Sequence, residues 1–191
     1  MTRLDLVVGP NGAGKSTFVD RVLLPVLPHQ AFVNADEIAK LYWPGNEVAK
    51  SRVAARLAEV LRDGFITLAE PFIAETVFSH PSKVDLVRDA VGAGYRVHLH
   101  VMMLPEDDAV ERVAKRVRQG GHAVPEGKIR TRYQRLWANV VDAVRLCDTA
   151  DFYDNTCNRP VLVARFSGGI AHGRVDWPSW TPPGLAPLVP K

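Results

Sequence analysis

The 191-residue chain has little cysteine: Cys147 and Cys157 are its only two. Two are too few for a disulfide framework, and their spacing fits no zinc pattern. A reducing compartment is the expected home. Long apolar runs are missing as well, so no segment is expected to span a bilayer. The chain opens directly into a strand-like run, from which no secretory leader is expected. A large excess of one charge sign is absent, the net charge being +3. There are no internal repeats, and no Asn-Lys-x-Asp motif of the kind that reads guanine. These absences leave a cytoplasmic protein of ordinary globular composition, long enough for one α/β unit with a sizeable core.

What is present begins at the N-terminus. Gly9-Pro10-Asn11-Gly12-Ala13-Gly14-Lys15-Ser16-Thr17 fits G-x-x-x-x-G-K-[ST]. It follows the apolar run Leu4–Val8, a strand, and opens the helical pattern Phe18–Leu24, so the motif sits where a phosphate loop must sit. Glycines let backbone N–H groups curl around phosphate oxygens, and the helix start adds partial positive charge. Lys15 is placed for the β/γ-phosphates and the Ser16 hydroxyl for Mg²⁺.

Further strands are expected at 31–34, 72–74, 95–104, 152–155 and 161–166. Helices are expected at about 36–42, 47–62, 81–91, 106–119 and 125–147. In the 47–62 helix, Val48, Val53, Leu57, Val60 and Leu61 recur at helical spacing, and Gly64 is read as its end. Alternating strands and helices imply a mostly parallel sheet covered on both faces, with ligands at the carboxyl ends of the strands. Residues 1–167 form the expected domain. Residues 168–191 form a Pro-rich tail, expected to be irregular, for which Trp177 and Trp180 are the packing candidates.

Asp36 follows the second strand and should face the phosphate loop. A carboxylate there can orient an attacking hydroxyl; helix capping is its other reading. Asn34 and Glu37 flank it. Glu75 ends a buried strand, where it can hold a substrate hydroxyl, bind Mg²⁺ through water, or cap the strand. Thr76 beside it can bond substrate or satisfy the strand end. From Arg112 to Arg135 there are eight Lys/Arg and one acid, Glu126. This basic stretch, broken at Gly120-Gly121-His122, reads as a helical lid over about 112–135. Its arginines can neutralise charge on transferred phosphoryl oxygens. Arg118 and Arg132 are the leading choices, with Arg116 and Arg130 behind them. A nucleic-acid patch fits this stretch less well than a lid. His98 and His100 alternate on one strand; a metal pair there would need a third ligand, and histidines satisfied within the sheet are the favoured reading. Asp154-Asn155 reads either as a strand-end turn or as a contact near the adenine.

At Gly9–Thr17, Asn34-Ala35-Asp36-Glu37, Glu75-Thr76, Ala93–Val97 and Arg116–Tyr133 the chain resembles the zeta toxin family of bacterial P-loop kinases. The resemblance covers most of residues 3–157. It implies a three-layer P-loop kinase-like fold with a helical lid, and ATP and Mg²⁺ as cofactors. It also implies phosphoryl transfer to a sugar hydroxyl of UDP-N-acetylglucosamine or a related UDP-sugar. By resemblance Asp36 is the base and Lys15 the phosphate-loop lysine. Arg118 and Arg132 are then the lid arginines and Glu75 the substrate-binding acid. An antitoxin protein is the partner it implies. Two other functions compete: a kinase acting on a nucleotide, an RNA end or an antibiotic hydroxyl, and a non-catalytic ATP-binding interaction module.

Overall fold

The computed structural model describes residues 2–121, 123–157 and 159–188; His122, expected at the lid turn, lies outside them. Seven strands form one sheet in the order β2-β3-β1-β4-β5-β6-β7. Five are parallel: β1 (Arg3–Val8), β2 (Ala31–Val33), β3 (Phe72–Thr76), β4 (Arg96–Met103) and β5 (Thr149–Asp154). The last two, β6 (Val161–Ser167) and β7 (Ile170–Ala171), run antiparallel at the edge.

Alternation along β1 divides the core. Leu4, Leu6 and Val8 enter a cluster built with α3 (Glu47–Leu68), α4 (Ser82–Gly92) and α6 (Glu126–Val144). Val7 faces a smaller cluster with α1 (Lys15–Phe18), the π-helical turn Val19–Leu23 that continues it, and α5 (Glu106–Arg118). Helices thus cover both faces, as the strand–helix alternation predicts. Ile129, Tyr133, Leu136, Val140 and Val144 of α6 are all buried, as their spacing requires.

Two expectations fail. The helix from Glu47 runs on to Leu68, through Gly64, and ends in a left-handed Ala69 with Glu70 N bonded to Phe65 O (3.0 Å). Its buried residues are Ala54, Ala58 and Arg62, whereas Val48, Val53 and Val60 are 63%, 48% and 65% exposed. The alanine stripe lets α3 pack closely, and this turns the valines outward. The tail is also more ordered than its composition suggested. Leu185, on the 3-10 helix Pro183–Leu188, is fully buried, and Gly184 lies against Trp137 of α6. Trp177 packs edge-on to Phe152 at 5.1 Å.

Beneath α1, on the Val7 face, lies a buried polar network. Asp5 accepts from Arg3 (Nε, 2.6 Å) and pairs with His100 Nε2 (2.9 Å). Asp151 accepts from Arg165 (Nη2, 2.7 Å) and pairs with His98 Nε2 (3.0 Å). Phe18 of α1 covers His100 at 5.4 Å between ring centroids. Burial alone would raise both aspartates. Hydrogen bonds from His100 and Arg3 to Asp5, and from Arg165 and His98 to Asp151, carry both below the usual carboxylate range. Burial holds His100 below the usual histidine range, against Asp5.

Unfolded carboxylates bind protons more tightly than these two. Their stabilisation is therefore complete above the unfolded pKa of about 4 and drains away below it, as pH falls toward their lowered folded values. His100, kept neutral in the fold, also takes up its proton more readily when unfolded, which removes stability from about pH 6.5 downward. Urea midpoints are expected to fall further as pH drops below about 4, the window in which the two aspartates lose their advantage. Asp151→Asn is expected to cost about 1–3 kcal/mol at neutral pH, because it removes the buried charge that Arg165 and His98 both bond. Midpoints that rise on acidification would contradict this balance.

Candidate functional site

After Val8 the chain turns at Gly9, whose φ is 146°. A Cβ there would stand 2.3 Å from the Met102 carbonyl oxygen, so the loop can lie against β4 only without a side chain. Gly14 (φ 81°) approaches Asn155 equally closely, a Cβ there meeting Nδ2 at 2.5 Å. That amide donates to Ala13 O at 2.8 Å, so Asn155, just past β5, clamps the loop. The strand-end role suggested for Asn155 is thus a contact to the loop itself. No side chain caps the first amides of α1. They and the loop N–H groups remain for an anion.

Lys15 is buried within this loop. Its Nζ donates to Pro10 O at 2.9 Å and lies 4.0 Å from Glu75 Oε1. Burial pushes the ammonium below the usual lysine range, while the charges of Glu75 and Asp36 pull it back. Burial likewise pushes Glu75 up, against Lys15 and the Ser16 hydroxyl. Glu75 Oε2 accepts from Ser16 Oγ (2.8 Å) and from Asn34 Nδ2 (2.7 Å). A hydroxyl and a carboxylate side by side are hard oxygen donors, which suits Mg²⁺.

Asp36 was read as a possible cap for its helix, α2 (Ala35–Tyr42). The cap is Asn34, whose Oδ1 accepts from Asp36 N at 2.7 Å. Relieved of that duty, the Asp36 carboxylate is exposed and lines a cavity of about 720 Å³. Asn11, Gly12, Gly14, Lys15, Ser16 and Thr17 line the same cavity, as do Asn34, Glu37, Glu75 and Thr76. Ends of β1, β2 and β3 therefore converge on one space, as the parallel topology demands.

Four cations of α5 and α6 also line the cavity: Arg112 and Arg116 from α5, and Lys128 and Arg132 from α6. Burial lowers the Arg132 pKa, opposed by Asp36, so these two charges sense each other. Arg118 and Arg130 do not line it, which corrects two of the expected lid positions. Arg130 is held outside by Glu126 and Asp107, each at 2.9 Å. Helical geometry gives the reason. Arg112 and Arg116, and likewise Lys128 and Arg132, are four apart and share a face, whereas residues two apart do not. That periodicity was present in the sequence and selects these pairs. Arg112 also braces the loop after β5 by donating to Thr156 O at 2.8 Å. Beyond Asp36 the cavity is lined by Lys40, Arg52, Arg62, His80 and Lys83, none of which the motifs had pointed to.

A glycine-clamped loop after β1, a parallel sheet and acids at the neighbouring strand ends define a P-loop, kinase-like α/β fold. The chain belongs to the P-loop family described as AAA domain, which it matches over residues 4–137. A structure of AvrRxo1-ORF1 with AvrRxo1-ORF2 and sulphate ions has a TM-score of 0.70 at 15% identity, covering 90% of this chain and 60% of that one. The PezAT toxin–antitoxin system of Streptococcus pneumoniae gives a TM-score of 0.59 at 13% identity, covering 83% of this chain and 72% of its own. A putative kinase from Chloroflexus aurantiacus gives 0.53 at 17%, covering 64% and 70%. This chain thus spans 60% of the AvrRxo1 chain's length. No curated protein sequence matches it. The shared fold is the P-loop kinase-like fold that the motifs implied.

Asn155→Ala releases the clamp on Ala13. ATP affinity, measured by calorimetry, is expected to fall about tenfold. Unchanged affinity would mean that the loop holds its shape unaided.

Proposed function

We propose that this protein is an ATP- and Mg²⁺-dependent kinase that phosphorylates a sugar hydroxyl of UDP-N-acetylglucosamine or a related UDP-sugar. The observation carrying this reading is that Asp36, Lys15 and Glu75 line one cavity, with the Lys15 charge felt by both acids. A space of about 720 Å³ has room beside the loop for an acceptor. Its basic far wall suits a phosphorylated acceptor better than a neutral antibiotic.

In this reading the loop amides and Lys15 hold the β/γ-phosphates. Ser16 and Glu75 would hold Mg²⁺, which when bound supplies charge neutralisation on the phosphates. Asp36 accepts the proton of the acceptor hydroxyl as its oxygen bonds to the γ-phosphorus and the bond to the ADP oxygen breaks. Arg116 and Arg132 face the charge on the transferred group. Asn34 and Thr76 position the acceptor beside Glu75. A protein partner of antitoxin type belongs to the same reading, by analogy with the PezAT system.

Radiolabelled ATP and UDP-N-acetylglucosamine test the assignment. Asp36→Asn is expected to lower kcat by about 10²–10⁴ while leaving ATP affinity within about twofold. Unimpaired turnover in that variant would remove Asp36 from its role, and no phosphorylated sugar nucleotide from the wild type would remove the acceptor. Arg132→Ala is expected to lower kcat roughly 100-fold, and Arg118→Ala to change it less than about twofold. Equal losses in the two would contradict the lid assignment.

A further inference from the structure

Arg62 is 5% exposed and sits on α3 one turn beyond Ala58 and two beyond Ala54, in the stripe that faces the core. Among the described residues its guanidinium makes no hydrogen bond and no ion pair within 4.0 Å. It feels the acids Glu59 and Asp63 only through space. Glu59 is already engaged, accepting from Lys83 Nζ at 2.7 Å. A buried guanidinium without a partner is costly, and such groups persist where an anion completes them. Arg62 also lines two adjoining cavities, the one described above and a smaller one of about 530 Å³. His80 and Lys83 line both as well.

A segment that lines the larger cavity has an unusual backbone. Phe78, fully buried, has a φ of 66°, in the left-handed region. It is pinned there by Asn139 Nδ2, which donates to its carbonyl at 2.9 Å. A bulky residue held in that conformation is strained, and such strain collects at ligand sites. Two residues on, His80 accepts from Ser82 N at Nδ1 (3.2 Å), so Nε2 is the ring nitrogen left over for a ligand.

We propose that Arg62, flanked by His80 and Lys83, seats a phosphate or diphosphate group of the phosphoryl acceptor, remote from the hydroxyl that Asp36 addresses. This rests on reading the cavity as a kinase site. It makes Arg62 a specificity-determining residue, because the planar guanidinium grips two phosphate oxygens at once. Neutral sugars and aminoglycoside-like acceptors leave that charge unanswered and are excluded.

The test saturates the full chain with a non-hydrolysable ATP analogue and Mg²⁺, so that the phosphate loop is filled, and then titrates inorganic pyrophosphate by calorimetry. The wild type is expected to bind it. Arg62→Met should bind it at least about tenfold more weakly, with unchanged affinity for the analogue. Arg62→Lys, which keeps the charge and loses the fork, should fall between them, so the prediction stands even if the Met variant fails to fold. Equal binding in wild type and either variant, or no pyrophosphate binding by the loaded wild type, overturns the proposal. If UDP-N-acetylglucosamine is not phosphorylated yet pyrophosphate binding depends on Arg62, the seat is supported and only the acceptor's identity falls. If UDP-N-acetylglucosamine is phosphorylated with the same KM by Arg62→Met, the seat is overturned and the kinase reading survives.

Discussion

Everything at this site depends on burying the positive charge of Lys15. The ammonium sits within its own loop, 4.0 Å from Glu75, with Asp36 also acting on it. A lysine in that position is tolerable only while carboxylates or phosphates surround it. The ends of β2 and β3 therefore have to deliver acids beside the loop after β1, and the parallel order β2-β3-β1 does so. The close approach at Gly9 fixes the loop against β4, and Asn155 fixes it against the end of β5. The ends of β2 and β3 thus bring acids to one charged group, on a loop held by β4 and by the residue past β5.

The same electrostatics separate acids that are fully partnered inside the fold from those that border the cavity. Asp5 and Asp151 are buried, doubly partnered and drawn below the ordinary carboxylate range. Glu75 is buried but pushed up, bridging Ser16 and Asn34. Asp36 is exposed to the cavity, its helix capped by Asn34 instead. Acids already satisfied by arginine and histidine have nothing left to offer a ligand; those at the strand ends do. His98 and His100 fall in the first group. With Asp5 they could hold a metal ion, yet each already has a carboxylate partner.

The sequence made the fold class and the phosphate loop legible because both are written locally. Strand, glycine loop and helix follow one another within Arg3–Leu23, and apolar periodicity marked the inward face of α6. What stayed illegible was set by tertiary packing. The buried stripe of α3 is Ala54-Ala58-Arg62, and a hydrophobic count favours the valines instead. The lid arginines were legible in principle, since four-residue spacing picks Arg112/Arg116 and Lys128/Arg132, but charge density alone drew attention to Arg118 and Arg130. Arg62 had no local signature at all. Its importance appears only when the fold buries it at the wall of the cavity without a hydrogen-bond partner among the described residues.

The central claim is that this cleft moves a phosphoryl group from ATP to a phosphorylated small molecule. Mass spectrometry of a metabolite extract incubated with the protein, Mg²⁺ and γ-labelled ATP addresses it most directly. The account predicts one labelled product, an already phosphorylated metabolite carrying an additional phosphoryl group, that disappears with Asp36→Asn. ADP formation that no extract alters, with label found only in inorganic phosphate, would contradict it.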